Sequence, residues 1–227
     1  MLTEPVRRNQ PWRAAAAIAL IALGPYLPAA AATPASPSTP YQAFVQSVAT
    51  DRSEAVRKML AQGMDPNTVD PNGDPVLLVA ARAGWEPTLD ALLASGAKVD
   101  AQNKFGDRPL MVAALNGHLA VVKKLLSRGA EINPPGWTPL IYAATNGHTE
   151  IMAYLLGMGA EVDAEGPNAI TALMMAARGG QTEAVELLLA HGADANHRNQ
   201  NGASALSWAQ RGDFGLIVKA LQQHGAR

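Results

Sequence analysis

His118 and His148 sit at the same place in two successive stretches of similar sequence, and paired imidazoles are a common start to a metal site. Zinc would need both nitrogens within about 2.1 Å of one ion, with further ligands beside them. Neighbouring packed helices lie about 8–10 Å apart, and no carboxylate or cysteine recurs at the matching position. The pair is therefore expected to pack between units, with no metal. His191 and His224 each precede a glycine at a helix end, where a cation suits the helix C-terminus. Glu161, Asp163 and Glu165 form a small acidic cluster of the kind that holds calcium through oxygen. Asp194 and Asn196 repeat its first two positions, which reads as a recurring polar turn instead. The chain contains no G-x-S-x-G, no phosphate-cradling G-x-x-x-x-G-K-[ST] and no H-E-x-x-H. The expectation is a non-enzymatic protein with no catalytic residue and no cofactor.

The elements that position these residues are clearest between Gly106 and Asn133. Pro109 stands where a first helical turn favours proline, because that position has no N–H to lose. Leu110, Ala113 and Ala114 then share one helical face, and Gly117 ends the run. Val121, Val122, Leu125 and Leu126 make the apolar stripe of a second helix, which Gly129 ends. Helices of about two to three turns cannot bury that stripe alone, so the pair needs neighbours on both sides.

The neighbours are copies, spaced by 33 residues with one step of 30. From the equivalent positions Gln42, Pro75, Arg108, Thr138, Thr171 and Ser204, two residues on lie Phe44, Leu77, Leu110, Leu140, Leu173 and Leu206. Five on lie Ser47, Ala80, Ala113, Ala143, Ala176 and Ala209. Seventeen on lie Met59, Leu92, Leu125, Leu155, Leu188 and Leu221, and twenty-one on lie Gly63, Gly96, Gly129, Gly159, Gly192 and Gly225. This register predicts an all-α solenoid of six stacked helix-turn-helix units. The units span about 41–70, 71–103, 104–133, 134–166, 167–199 and 200–227. The end copies are more polar: Ser47 and Asp51 in the first, and Gln210, Asp213 and Gln222 in the last, replace small or apolar residues. They are expected to cap the stack where one face meets water. The short step removes three residues between Asn133 and Gly136, leaving Pro134-Pro135 and predicting a small or distorted hairpin there.

Period and pattern resemble the ankyrin repeat. The fourth unit carries the likeness most plainly, with Gly136-Trp137-Thr138-Pro139-Leu140, Ala143-Ala144, Asn146-Gly147-His148 and Leu155-Leu156 before Gly159-Ala160. The histidine of the family's TPLH signature is replaced by Leu78, Met111, Ile141, Met174 and Ser207. The usual threonine–histidine bond is therefore absent, and the apolar replacements are expected to pack at a semi-buried position.

Residues 1–32 read as a cleavable export signal. Arg7, Arg8 and Arg13 precede the apolar run Ala14–Leu23, and small residues follow at Ala29–Ala32. That run falls well short of the roughly 20 residues a membrane-spanning helix needs. Thr33–Pro40 is a proline-rich tether, and 41–227 forms the repeat domain. Cleavage would remove Arg7, Arg8, Arg13 and Glu4 from 18 basic and 19 acidic residues, leaving a net charge of −3. Such a surface has no basic footprint for nucleic acid or an anionic membrane. The absence of cysteine suits an exported chain. The expected location is the periplasm, and the expected state alone is a monomer.

The resemblance implies that hairpin tips and the ends of the first helices line a concave face. On it lie Asn72, Asp74, Arg82, Phe105, Asp107, Trp137, Tyr142, Ile170 and Arg178. Phe105, Trp137 and Ile170 are expected to face water as one apolar patch, the kind of surface that marks a binding site, with Asp74, Asp107 and Arg82 as its polar rim. The alternative for Trp137 is that it folds onto Pro134-Pro135 and fills the gap the deletion leaves. The implied function is protein binding. Exported bacterial ankyrin proteins resemble either immunity partners of toxic effectors or accessory proteins of peroxide defence. A hydrolase with an unrecognised site is the competing class, and it would need a nucleophile and base in a pocket, where a helical solenoid offers a broad groove.

Overall fold

The computed structural model describes residues 39–227. The expected leader and all but the last two residues of the expected tether lie outside the described residues. The described chain forms twelve α-helices in six pairs and no strand. The pairs are α1 (Pro40–Ala49) with α2 (Ser53–Ala61), α3 (Val76–Ala83) with α4 (Glu86–Ala94), and α5 (Pro109–Leu115) with α6 (Leu119–Ser127). They continue as α7 (Pro139–Thr145) with α8 (Thr149–Gly157), α9 (Ala172–Arg178) with α10 (Thr182–Ala190), and α11 (Ala205–Arg211) with α12 (Gly215–Gln223). Each first helix packs on the next first helix and each second helix on the next second helix, giving two layers. The chain is thus an all-α stack of repeats.

The repeating residues hold this stack as their spacing requires. Leu77, Leu110, Leu140 and Leu173 are buried in the first-helix layer, and Leu92, Leu125, Leu155, Leu188 and Leu221 in the second. The alanines Ala80, Ala113, Ala143, Ala176 and Ala209 are wholly buried, because only a methyl group fits where first helices approach most closely. Leu78, Met111, Ile141 and Met174 are at most 3% exposed. These substitutes for the signature histidine belong to the core, not to a semi-buried shell. Thr138 and Thr171 keep their capping role, accepting from the amides of Ile141 at 3.3 Å and Met174 at 3.4 Å. Ser204 and Ser207 close a reciprocal capping box.

The turn inside each unit shows why the histidines recur. Gly117 has φ +79°, and a Cβ there would lie 2.8 Å from the His148 ring. The missing side chain makes room for His148, whose Nε2 lies 2.9 Å from the Leu115 carbonyl oxygen. His118 reaches the Arg82 carbonyl oxygen at 3.0 Å in the same way. Both are inter-unit staples. His191 and His224 bond the carbonyls of Leu187 and Ala220 at their own helix ends.

The end units partly depart from the expected caps. Ser47 is 5% exposed and donates to the Ala43 carbonyl at 2.7 Å, so it faces the core and not water. Asp51 and Asp213 replace the left-handed glycine and adopt φ of 52° and 57° themselves. Asp51 accepts from the buried Thr88 hydroxyl at 2.7 Å, which ties the first unit to the second. α1 starts at Pro40, capped by Thr39, so the tether's last two residues belong to the first unit.

A second ladder joins the units behind the second helices. The side-chain oxygens of Asn67, Asp100, Asn133, Asp163 and Asn196 accept from the amides of Lys98, Glu131, Glu161, Asp194 and Arg227. Asp163 thus serves a structural joint. Five joints link six units, each satisfying an amide at the turn that leaves a second helix.

Candidate protein-binding face

Four loops project ahead of the first helices as short fingers, at 70–74, 103–107, 166–170 and 199–203. Three are folded by one side chain each. Asp70 Oδ1 accepts from the amides of Asn72 and Asp74, Asn103 Oδ1 from Phe105 and Asp107, and Asn199 Oδ1 from Asn201 and Ala203. In the fourth, Gly166 donates to the Ile170 carbonyl at 2.8 Å, and Asn168 and Ala169 take left-handed backbone at φ 61° and 56°. The unit beginning at Pro134 has no finger. Asn133 plays the joint-forming part of Asp100, so the three deleted residues come out of the finger and leave only a short connection to the helix cap.

Side chains along these fingers alternate between inside and outside, as in any extended hairpin arm. The position before each helix cap points inward. Asp74 is 8% exposed and Ile170 7%, and Trp137 and Asp107 are half-buried. Two residues earlier the side chain points out, as at Asn72, Pro135 and Asn201, and Phe105 is 74% exposed. The expected patch of Phe105, Trp137 and Ile170 is therefore not formed. Ile170 joins the core because it ends its finger on the inward phase.

Beneath Phe105 runs a connected polar bed. Arg82 at the end of α3 pairs with Asp74 at 2.8 Å. Asn103 Nδ2 donates to Asp74 Oδ1 at 3.0 Å and to Asp107 Oδ2 at 3.2 Å. The Tyr142 hydroxyl, on α7, donates to Asp107 Oδ1 at 2.5 Å. Burial, and then the Asp107 carboxylate, pushes that phenol far above its ordinary range, so it remains a donor. Trp137 meets Tyr142 edge-on, with centroids 6.0 Å apart, and lies against Gly166 of the next unit. Asp74, Arg82, Phe105, Asp107, Trp137 and Tyr142 thus come together across three units. Arg178 stands apart, stacked over Trp208 at 5.8 Å. Sequence reasoning missed Asn103, which binds the bed together. Its signal is the polar Asp70, Asn103 and Asn199 at one repeat position.

Among the described residues no group of three or more His, Cys, Asp or Glu side chains is placed to hold a metal. None of the described helices is long and apolar enough to cross a membrane. Every buried side-chain polar atom there has a partner. The bed is a connected hydrogen-bonded support for the finger.

Trp137 is half-buried against Tyr142 and Gly166, a packing role within the stack. Truncation to alanine should cost about 2 kcal/mol of stability, less than a fully buried tryptophan, since part of the ring is already solvated. Urea unfolding measures it. Unchanged stability would return the indole to the solvent-facing surface.

A stack of helix pairs with finger loops and an exposed, rigidly backed edge defines a repeat scaffold that binds other proteins. The family model for ankyrin repeats (3 copies) matches residues 44–135, 89–166 and 158–227, and this chain belongs to the ankyrin-repeat family. Among solved structures it resembles the crystal structure of human ASB11 ankyrin repeat domain, with 30% sequence identity and a TM-score of 0.75. The likeness covers 81% of this chain and 84% of that one. No curated protein matches the sequence.

Proposed function

We propose that this chain is an exported, periplasmic scaffold that holds one protein partner along its finger edge and catalyses nothing itself. Phe105 carries the reading. It is the most exposed large apolar side chain among the described residues, 74% open, on a finger whose backbone Asn103 pins. Asn103 pins the finger backbone at Phe105 and Asp107 and joins it through Asp74 to Arg82 and through Asp107 to Tyr142. Pre-organisation of this kind lowers the entropic cost of association. The finer role we favour is an inhibitor-type partner that caps a toxic effector. A looser accessory role in peroxide defence is the second reading, and the partner's identity separates the two.

Site-specific photo-crosslinking in the producing cell tests this. A benzophenone residue replacing Phe105 should give one discrete adduct, and the same probe replacing Met158, exposed at the end of α8, should give none. Adducts at Met158 alone would move the partner to the second-helix layer. The mass of the Phe105 adduct identifies the partner.

A further inference from the structure

The chemistry of the Phe105 finger narrows the partner further, granted that the finger edge is where it binds. Lys104 lies beside Phe105 with its Nζ 5.2 Å from the ring centroid. This is a cation–π pair at the most exposed aromatic among the described residues. No carboxylate pairs with Lys104 among the described residues. The nearby carboxylates are turned inward. Asp74 is taken by Arg82 and Asn103, and Asp107 by Tyr142 and Asn103. The Arg82 side chain keeps 42% of its surface open while the Asp74 side chain keeps 12%. An approaching group therefore meets an aromatic ring and an ammonium on the finger, while the Arg82 guanidinium is joined to the finger through Asp74 and Asn103.

Three kinds of partner surface can be compared on this ground. A basic segment would face Lys104 and Arg82 with no free carboxylate to receive it. A purely apolar segment would cover Phe105 but strip water from the Lys104 ammonium without replacing it, and burying an unpaired charge is costly. A carboxylate next to an aromatic or aliphatic side chain satisfies both groups at once: the carboxylate meets Lys104 or Arg82 and the apolar group stacks on Phe105. The chain's formal net charge is −1, and −3 once the expected leader is removed, so the attraction is short-range and set by these residues rather than by the field of the whole molecule.

We infer that the Phe105 finger recognises an acidic–apolar segment of its partner, an Asp or Glu adjacent to Trp, Phe, Tyr or Leu, through Lys104, Phe105 and Arg82. A displayed random-peptide library, panned on the immobilised full-length chain and counter-selected on Phe105→Ala, reads this directly. Peptides retained only by the parent should carry that pairing. A synthetic peptide of the enriched sequence should bind Lys104→Glu at least about tenfold more weakly. Lys104→Gln should fall between the two. Both positions are exposed, and circular dichroism of each variant checks that folding is intact. Enriched peptides that need Phe105 but are basic or uncharged would overturn the acidic–apolar assignment and leave the finger as a binding site. Enriched peptides indifferent to Phe105→Ala, or no enrichment above bare support, would overturn both.

Discussion

Leu125→Ala should lower the unfolding free energy by about 2–5 kcal/mol, the range for emptying a fully buried leucine site. Leu125 has no exposed surface, and α6 packs on α5 within its unit and on α4 and α8 of the two neighbours. The void therefore opens where three units meet, and short helices held by tertiary contact have little means of closing it. A solenoid's stability is a sum of unit and nearest-neighbour terms, so a loss at this joint weakens two interfaces at once. Urea denaturation followed by circular dichroism measures the effect. A midpoint and slope unchanged from the parent would mean that the helix register is wrong at this unit.

That register was legible because the residues that set it are large, small or absent at fixed spacing. Leu110, Ala113 and Gly117 each have one physical job, and the same jobs recur at Leu140, Ala143 and Gly147. The fingers were less legible. Helical periodicity gives no phase for an extended arm, so Ile170 and Phe105 looked alike in sequence. Only the hairpin's alternation of two separates the buried residue from the exposed one. Polar residues hid a second layer of order. Asn67, Asp100, Asn133, Asp163 and Asn196 look like surface turn residues, and their sequence does not say that each reaches the backbone of the next unit. Asn133 adds an ambiguity of its own. Counted back from α7 it matches Asn103, the finger builder, yet it acts as Asp100 does. The deletion thus falls within the finger rather than in the turn that forms the joint. Ser47 misled for a simpler reason: a hydroxyl that bonds its own helix at the Ala43 carbonyl is as buryable as an alanine.

If the partner sits on the finger edge, Phe105→Ala should separate binding from stability. The side chain is mostly in water and the finger's backbone is held by Asn103, not by the ring. Removing it should change unfolding free energy by no more than about 0.5 kcal/mol. If the ring is the anchor, the same change should weaken binding to the protein captured by the position-105 crosslink by about 2 kcal/mol or more, roughly thirtyfold. Titration calorimetry of that partner against parent and variant gives the number, with urea unfolding of both as the control. A partner seated on the finger edge requires the thirtyfold loss at unchanged stability. Binding within about threefold of the parent, from an equally stable variant, would place the partner elsewhere.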